Sequence, residues 1–372
     1  MMIYIHVPFC RRKCNYCAFN SVVSGAAQRA AYVDALIKEI HLRGRFEAVE
    51  TIYFGGGTPT TLTLAQLEKI LSAVRKNFYV DNRVEITIEA NPCTVDENYL
   101  RGLQTLGFNR ISLGVQSFND ALLKILGRIH TSRVATDTVA LAKNFFDNVS
   151  LDLMYGLPNQ TLEDVRRDIE HVKALDVEHV SIYGLEVEED TKFFELARAG
   201  NLPLPAENIC ADMYDYITQT LPALNWRRYE VSNFAKKNFE SRHNRGYWTG
   251  KKYFGFGAGA HSFNGNLRTS NVRDVPTYIK RICAGESVST VEEVVTRREA
   301  MEEFCFLGLR LVEGIDARTF AENFGASIFD MFGAVISKNQ RLGLLDVDGD
   351  RIFLTARGMS LGNEVFAEFL LT

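Results

Sequence analysis

No stretch of this sequence approaches the ~20 consecutive apolar residues that a membrane-spanning helix requires. The opening MMIYIHVPF is apolar but has no basic leader, is too short for a secretory core and runs straight into Arg11, Arg12 and Lys13, so no signal peptide is expected. Charge of one sign is also lacking: 42 Lys and Arg against 46 Asp and Glu leave a net charge of -4. That balance gives no general electrostatic reason to bind nucleic acid or an anionic membrane. Cysteine is sparse, seven in 372 residues and an odd number, which excludes a disulfide scaffold. Internal repeats and low-complexity segments are absent. With 46% hydrophobic and 24% charged residues, the chain has the composition of an ordinary globular protein of two to three domains, expected in the cytoplasm, where thiols stay reduced.

Three of the seven cysteines are concentrated in one place. Cys10, Cys14 and Cys17 form a C-x3-C-x2-C cluster in CRRKCNYCAFN, directly after the apolar run 3–9. Thiolates hold iron-sulfur clusters, and a four-iron cube normally takes four of them. Three without a nearby fourth suggest three protein-bound irons and one left for another ligand. The alternatives are three unrelated thiols or a zinc site completed by His6. Structural zinc usually takes a second, distant pair of ligands, and no second cysteine pair exists here.

Up to about residue 185, short β-type runs alternate with helical stretches, the signature of βα units and a parallel sheet. The spacing predicts strands over 3–7, 51–54, 84–89, 110–115, 149–154 and 179–183. Helices are predicted over 30–42, 64–78, 132–145 and 162–175, the second with Thr63 as cap and Gln66 completing a capping box. Six such units fit a partial or full TIM-type barrel, whose strand ends are where ligands bind. Beyond residue 185 the rhythm breaks. An acidic stretch, a turn at Pro203 and Pro205, and a helix over 206–221 precede a section, 225–285, rich in aromatics and glycine. A helical segment from Thr296, a helix over 323–340, a hairpin in LLDVDGDRIFLT and a closing amphipathic helix read as a winged-helix-like appendage. Its third helix offers only the ordinary basic residues Lys338 and Arg341, so DNA binding is not expected there.

After the second strand comes FGGGTPT, in which Gly55, Gly56 and Gly57 lack the Cβ atoms that would keep a ligand from the backbone; a tight strand-to-helix turn is the plainer explanation. A cysteine cluster followed one strand later by such a loop resembles the layout of the radical S-adenosylmethionine superfamily. The motifs YIHVPFC, FGGGTPT, IEANP, GVQSF, LDLMYGLP and GAGAHS resemble, more narrowly, the oxygen-independent coproporphyrinogen III oxidase group of porphyrin biosynthesis. The resemblance implies an α/β fold: a partial (β/α)6 barrel over 1–225, an aromatic and glycine-rich extension on the substrate side over 226–295, and a mainly helical, winged-helix-like HemN-type domain over 296–372.

By the same resemblance Cys10, Cys14 and Cys17 bind a [4Fe-4S] cluster whose free iron chelates S-adenosylmethionine. An electron from a low-potential donor would then cleave the sulfonium to methionine and a 5'-deoxyadenosyl radical. Matching motif to motif, Tyr4 and Tyr16 lie against the cofactor, Gly56, Gly57 and Thr58 at its methionine end, and Glu89 at the ribose hydroxyls, with Gln116, Arg128 and Asp152 completing the set. Each alone could equally be a capping or salt-bridged residue; their recurrence at successive strand ends favours the site. GFGAGA, 255–260, formally matches a dinucleotide fingerprint but lacks the βαβ context, and family likeness assigns it to the substrate side. Cys93, Cys210, Cys283 and Cys305 are expected to be ordinary buried thiols.

Three departures from the dehydrogenases decide the functional expectation. Those enzymes carry a fourth cysteine two residues after the third, where this chain has Phe19, and a long segment before the first strand. This chain also has H-N-x-x-Y-W at His243, Asn244, Tyr247 and Trp248. These features resemble the family's haem chaperone branch, which hands haem to haem proteins. His243 is the candidate haem ligand, with Tyr247 and Trp248 offering flat surface to a porphyrin; a packed structural histidine is the competing reading, and His261 and His6 are weaker candidates. The alternatives are oxidative decarboxylation of coproporphyrinogen III, another radical reaction on tetrapyrroles such as haem breakdown, or an interaction module with a structural cluster.

Overall fold

The six expected strands all form, and they line up in sequence order as a parallel sheet. The structure, a computed structural model, describes residues 1–370. It opens with β1 (Met2–Val7), α1 (Ala26–Arg43), β2 (Ala48–Gly56), α2 (Leu64–Asn77), β3 (Tyr79–Ala90), α3 (Glu97–Leu106) and β4 (Arg110–Gln116). Then follow α4 (Asp120–Leu126), α5 (Ser132–Ala142), β5 (Val149–Tyr155), α6 (Leu162–Leu175) and β6 (His179–Gly184). Thr63 and Gln66 make the reciprocal capping box at α2.

The section 225–285, read from sequence only as aromatic and glycine-rich, carries much of the remaining sheet. After α7 (Lys192–Arg198) and α8 (Glu207–Ala223) come β7 (Arg227–Arg228), β8 (Asn233–Ala235), α9 (Arg242–Trp248), β9 (Tyr253–Phe256), β10 (His261–Phe263), β11 (Leu267–Asn271), α10 (Val275–Ala284) and β12 (Ser289–Val294). β9 pairs parallel with the free side of β1, so seven parallel strands form one curved wall in the order β9-β1-β2-β3-β4-β5-β6. Antiparallel strands extend it at both ends, and the barrel stays open.

The alternation along these strands sets the character of the interior. Ile3, Ile5, Ile52, Phe54, Ile86, Ile88, Ile111, Leu113, Leu151, Leu153, Val180 and Ile182 belong to one buried core with Val33, Leu36, Leu67, Leu71, Leu103, Val139 and Ile169 of the surrounding helices. The alternate positions point the other way and are polar: Tyr4, Thr51, Tyr53, Thr87, Glu89, Arg110, Ser112, Ser150, Asp152, His179, Ser181 and Tyr183. A closed (β/α)8 barrel fills this space with branched aliphatic layers. Here polar side chains line it and leave it open.

The segment GFGAGA does not face this interior, contrary to the expectation that it lines the substrate side. It packs between β1 and α1, where Gly257 N–H donates to Glu39 Oε2 at 2.8 Å and Ala258 N–H to the Tyr32 hydroxyl at 3.0 Å. Gly257 has φ +103, and a Cβ there would lie 2.6 Å from the His6 carbonyl oxygen. Glu39 is buried and also accepts from Asn271 Nδ2 at 2.8 Å and the Tyr278 hydroxyl at 2.6 Å, while Arg43 pairs with it.

The last part has its own core, built from Met301, Leu309, Phe320, Phe332, Ile336, Ile352 and Phe369 among others. It comprises α11 (Arg297–Gly308), β13 (Ile315–Asp316), α12 (Ala317–Phe324), α13 (Ile328–Arg341), the hairpin β14 (Leu345–Asp348) and β15 (Arg351–Leu354), then α14 (Ala356–Ser360) and α15 (Gly362–Ala367). The helix expected over 323–340 starts later, because Gly325 takes a left-handed conformation that ends α12 and Ser327 caps α13. The single closing helix is two short ones, broken at Leu361. Of the four scattered cysteines only Cys305 is buried; Cys93 and Cys210 are half-buried and Cys283 is exposed, which corrects the expectation for those three.

Glu39 joins α1, the GFGAGA segment, β11 and α10, so Glu39→Ala takes the acceptor from Gly257 N–H and the Tyr278 hydroxyl, one of two acceptors from Asn271 Nδ2, and the ion-pair partner from Arg43. The expected cost is at least about 3 kcal/mol in urea unfolding, with Glu39→Gln, which keeps one acceptor oxygen, costing less than half of that. A loss below about 1 kcal/mol in the alanine variant would show that the network does not hold these elements together.

Candidate functional site

The polar interior encloses a cavity of about 550 Å³. The residues assigned from sequence to the cluster and to S-adenosylmethionine, and the first candidate for haem, all line it: Cys10, Cys14, Cys17, Tyr4, Tyr16, Gly56, Gly57, Thr58, Glu89, Gln116, Arg128, Asp152 and His243. His6 and His261 do not. His6 is turned into the wall, its Nδ1 3.1 Å from the Tyr4 hydroxyl and its Nε2 2.9 Å from the Asn20 carbonyl oxygen, so it does not complete a zinc site with the cysteines. His261 is exposed on β10.

The cysteine loop leaves the C-terminal end of β1 and is fixed by its neighbours. Cys10 N–H donates to the Val22 carbonyl at 3.0 Å, and Asn15 donates to the carbonyls of Leu126 and Ile125 at the end of α4. Two of the three sulfurs accept hydrogen bonds from side chains. The Thr58 hydroxyl donates to Cys10 Sγ at 3.5 Å and Arg128 Nη1 to Cys14 Sγ at 3.4 Å. Asn91 links these two donors, its Nδ2 donating to Thr58 Oγ1 at 2.7 Å and its Oδ1 accepting from Arg128. Burial pushes the Cys10 and Cys17 thiols up from their ordinary values, so thiolate there needs a positive partner. Among the described residues no three His, Cys, Asp or Glu side chains converge on a single ion. A cube asks for something different, one thiolate on each of three separate irons, with donors around the sulfurs, and the residues present fit that group.

The glycines of FGGGTPT do more for packing than the sequence suggested. A Cβ on Gly56, at φ +109, would lie 2.4 Å from the His6 ring, one on Gly57 2.8 Å from the Phe9 backbone, and one on Gly55 3.0 Å from Glu89 Oε1. The protein's own atoms fill the Cβ side, and the backbone of Gly56 and Gly57 is left facing the cavity. Glu89 accepts from the Tyr53 hydroxyl at 2.8 Å and Gly56 N–H at 3.2 Å. Burial pushes its carboxyl up to about 7, with the negative charge of Asp152 adding to the shift and the Tyr53 hydrogen bond opposing it. Asp152 is itself raised by burial and accepts from Ser112 Oγ at 3.0 Å. Gln116 sits at φ +74 beyond a register shift in β4, a left-handed conformation that aims a non-glycine residue at the cavity.

The H-N-x-x-Y-W motif forms α9, which plugs the opposite, N-terminal end of the barrel. Glu85 on β3 accepts from the first amides of α9, those of Arg242 and His243, both at 3.0 Å. Gly246 lets the helix rest on Met2 of β1, where a Cβ would lie 2.0 Å from the methionine sulfur. His243 is 2% exposed and stacked on Tyr53 with ring centroids 5.0 Å apart. Its Nδ1 lies 2.7 Å from Thr51 Oγ1 and its Nε2 3.1 Å from the Tyr247 hydroxyl. Asn244 and Tyr247 line the cavity. Trp248 does not, which corrects the expectation that it offers a face to a porphyrin; it packs outward under Arg310, 4.4 Å from the guanidinium.

Sequence reading missed the floor: Arg110, His179, Ser112, Ser181 and Asn233 also line the cavity. The available signal was the polar residue at every second position of β4 and β6. His179 is held between Ser150 Oγ at 2.8 Å and the Tyr229 hydroxyl at 2.9 Å.

The profile of the Radical SAM superfamily matches residues 4–172 and that of the HemN C-terminal domain residues 295–361. The heme chaperone HemW of Lactococcus lactis subsp. lactis (strain IL1403) is 40% identical, covering 99% of this chain and 97% of its own length. That of Bacillus subtilis (strain 168) is 39% identical, over 99% and 98%. Among solved structures, coproporphyrinogen III oxidase (HemN) from Escherichia coli superposes with a TM-score of 0.86 at 24% identity, over 99% of this chain and 89% of that one, a likeness of fold.

Burial lowers the His243 pKa from 6.5 to about 3, and the charge of Arg110 acts in the same direction. An unfolded chain binds a proton at this histidine below about pH 6.5 that the native state refuses until about pH 3. Its contribution to stability is therefore intact above pH 6.5 and declines as the pH falls, by about 1.4 kcal/mol per unit. His243→Gln is expected to reduce the pH slope of the unfolding free energy between pH 6 and 4 by about that amount. An unchanged slope would mean that the imidazole is already charged in the fold.

Proposed function

The chain belongs to the HemW family of the radical SAM superfamily, and on that footing we propose that it is a haem chaperone, which binds haem and passes it to haem proteins. In the same proposal Cys10, Cys14 and Cys17 hold three irons of a [4Fe-4S] cluster, and S-adenosylmethionine takes the fourth. When bound, that pair supplies one-electron chemistry. The chain's own residues supply the setting: Thr58 and Arg128 stabilise thiolate through their hydrogen bonds, and the backbone of Gly56 and Gly57 offers polar groups to an amino-acid moiety. Glu89, with two lone pairs still free, accepts hydroxyls, and Tyr4, Tyr16, Gln116 and Asp152 complete the wall.

The observation that carries the haem part is the state of His243. Burial keeps its imidazole neutral, and Thr51 fixes the ring through Nδ1. The tautomer with its proton on Nδ1 leaves the Nε2 lone pair directed at the Tyr247 hydroxyl, on the cavity side. A haem iron reaching Nε2 replaces that hydroxyl, and the Thr51 partner then orients the ligand as outer-shell groups do for metal-bound histidines. Phe19, 70% exposed at the cavity lip, stands where the dehydrogenases of the resembling group carry a cysteine. Reduced thiols suit a cytoplasmic setting, and no helix among the described residues is long and apolar enough to cross a membrane.

The test is to offer haem and coproporphyrinogen III separately to the anaerobically reconstituted protein with S-adenosylmethionine and a reductant. The chaperone reading expects haem to bind, to move to an apo-haem protein, and to survive unaltered, with no vinyl-bearing product from coproporphyrinogen. His243→Ala is expected to weaken haem binding about tenfold or more while the cluster absorption is unchanged. Turnover of coproporphyrinogen, or degradation of haem, would replace the carrier reading with an enzymatic one.

A further inference from the structure

We propose that the floor of the barrel is a carboxylate-binding site built on Arg110 and that, resting on the haem reading above, it takes a propionate of the tetrapyrrole. Arg110 is the first residue of β4, points inward, lines the cavity and is 2% exposed. Among the described residues its side chain makes no hydrogen bond and no ion pair, and its Nε is buried with no partner. A guanidinium cannot shed its charge, and a buried one without an acceptor is costly to keep.

The barrel's own carboxylates do not supply the acceptor. Glu89 accepts from Tyr53 and Gly56, and Asp152 from Ser112. Glu85 takes the two amides of α9, and Glu230 takes Asn233 and Ser232 N–H. None of the four lies within ion-pair distance of Arg110. What the fork fits is an incoming carboxylate, bound through two parallel hydrogen bonds.

That carboxylate is not the one held beside the cysteines. The seven residues of β4 separate Arg110 from Gln116 at the cluster end by ~20 Å. An amino acid anchored at the cysteine end cannot present the same carboxylate to the floor. A tetrapyrrole has carboxylates on flexible arms beyond a flat apolar body, and the Tyr53, His243 and Tyr247 rings lie on this side of the cavity.

The experiment uses reconstituted wild-type protein and Arg110→Met, which keeps the volume of the side chain and removes a buried charge whose loss need not destabilise the fold. Arg110→Lys, which keeps the charge and loses the fork, guards against a folding defect. Four probes are compared: haem, haem dimethyl ester, S-adenosylmethionine and succinate. Wild-type affinity for haem is expected to fall about tenfold on esterification and about tenfold in Arg110→Met, with no further fall when the two are combined. The lysine variant falls between. S-adenosylmethionine binding stays within about twofold of wild type, and succinate raises the melting temperature of wild type alone. Equal haem binding by wild type and Arg110→Met, or an esterification penalty that persists undiminished in the variant, overturns the propionate assignment. Loss of S-adenosylmethionine binding in the variant reassigns the floor to that cofactor and overturns it too. Succinate without a difference between the proteins overturns the carboxylate site itself. If wild type fails to bind haem while succinate still discriminates, the haem reading falls and the site stands for another acidic ligand.

Discussion

A parallel sheet whose inward positions are polar cannot close on itself as an aliphatic core. Tyr4, Tyr53, Glu89, Arg110, Asp152 and His179 each need a partner once removed from water, and the strands around them offer only backbone already paired in the sheet. Two consequences follow from that one constraint. The interior stays open as a cavity, and its polar groups pair with one another wherever geometry allows, Glu89 with Tyr53, Asp152 with Ser112, His179 with Tyr229. Burial also moves protonation even where partners are present: Glu89 goes up to about 7, and His243 down to about 3. Arg110 can do neither, which makes it the group in the barrel that most requires something from outside.

The cysteine end is organised by a different rule. Its three thiols sit on a loop, and loops are held by what they touch rather than by a ladder. Thr58 comes from the end of β2, Asn91 from the end of β3 and Arg128 from the segment after α4, and four hydrogen bonds join two of the sulfurs in one chain through these three residues. A shift in any one connection is thereby felt at the sulfurs. The same three residues are also the polar surface beside Gly56 and Gly57, so the groups that orient the thiols and the groups that face a neighbouring ligand are one set.

How much of this could be read from the chain depended on whether the signal was local. The six strands and the Thr63–Gln66 box were legible because alternation and capping act within a few residues. The cavity wall was legible from motifs, since Cys10 to Cys17, Gly56, Glu89, Gln116 and Arg128 sit at strand ends or on short loops, with Asp152 in the middle of β5. The role of GFGAGA was not, because Gly257 answers to Tyr32, Glu39 and His6, contacts that only the folded chain supplies. Nor was the start of α13, where Gly325 and Ser327 compete with a helical pattern that runs through them. Trp248 followed Tyr247 in a motif and was assigned the same task. One residue along a short helix turns the side chain by roughly 100°, which is enough to take it out of the cavity and onto Arg310.

That outward turn ties the floor of the barrel to the C-terminal unit. α9 is only seven residues long, too short to be stable alone. From inside, Glu85 holds its first amides and Tyr53 stacks on His243. From outside, Arg310 covers Trp248, and Glu313 pairs with Arg245; both belong to the stretch between α11 and β13. His243 and Tyr247 thus lie on one side of a helix whose other side is fastened to the unit spanning the HemN C-terminal match. The position of the imidazole in the cavity is set by both cores at once. The C-terminal unit thus bears on the floor through α9 itself, at the end of the cavity opposite the cysteine loop.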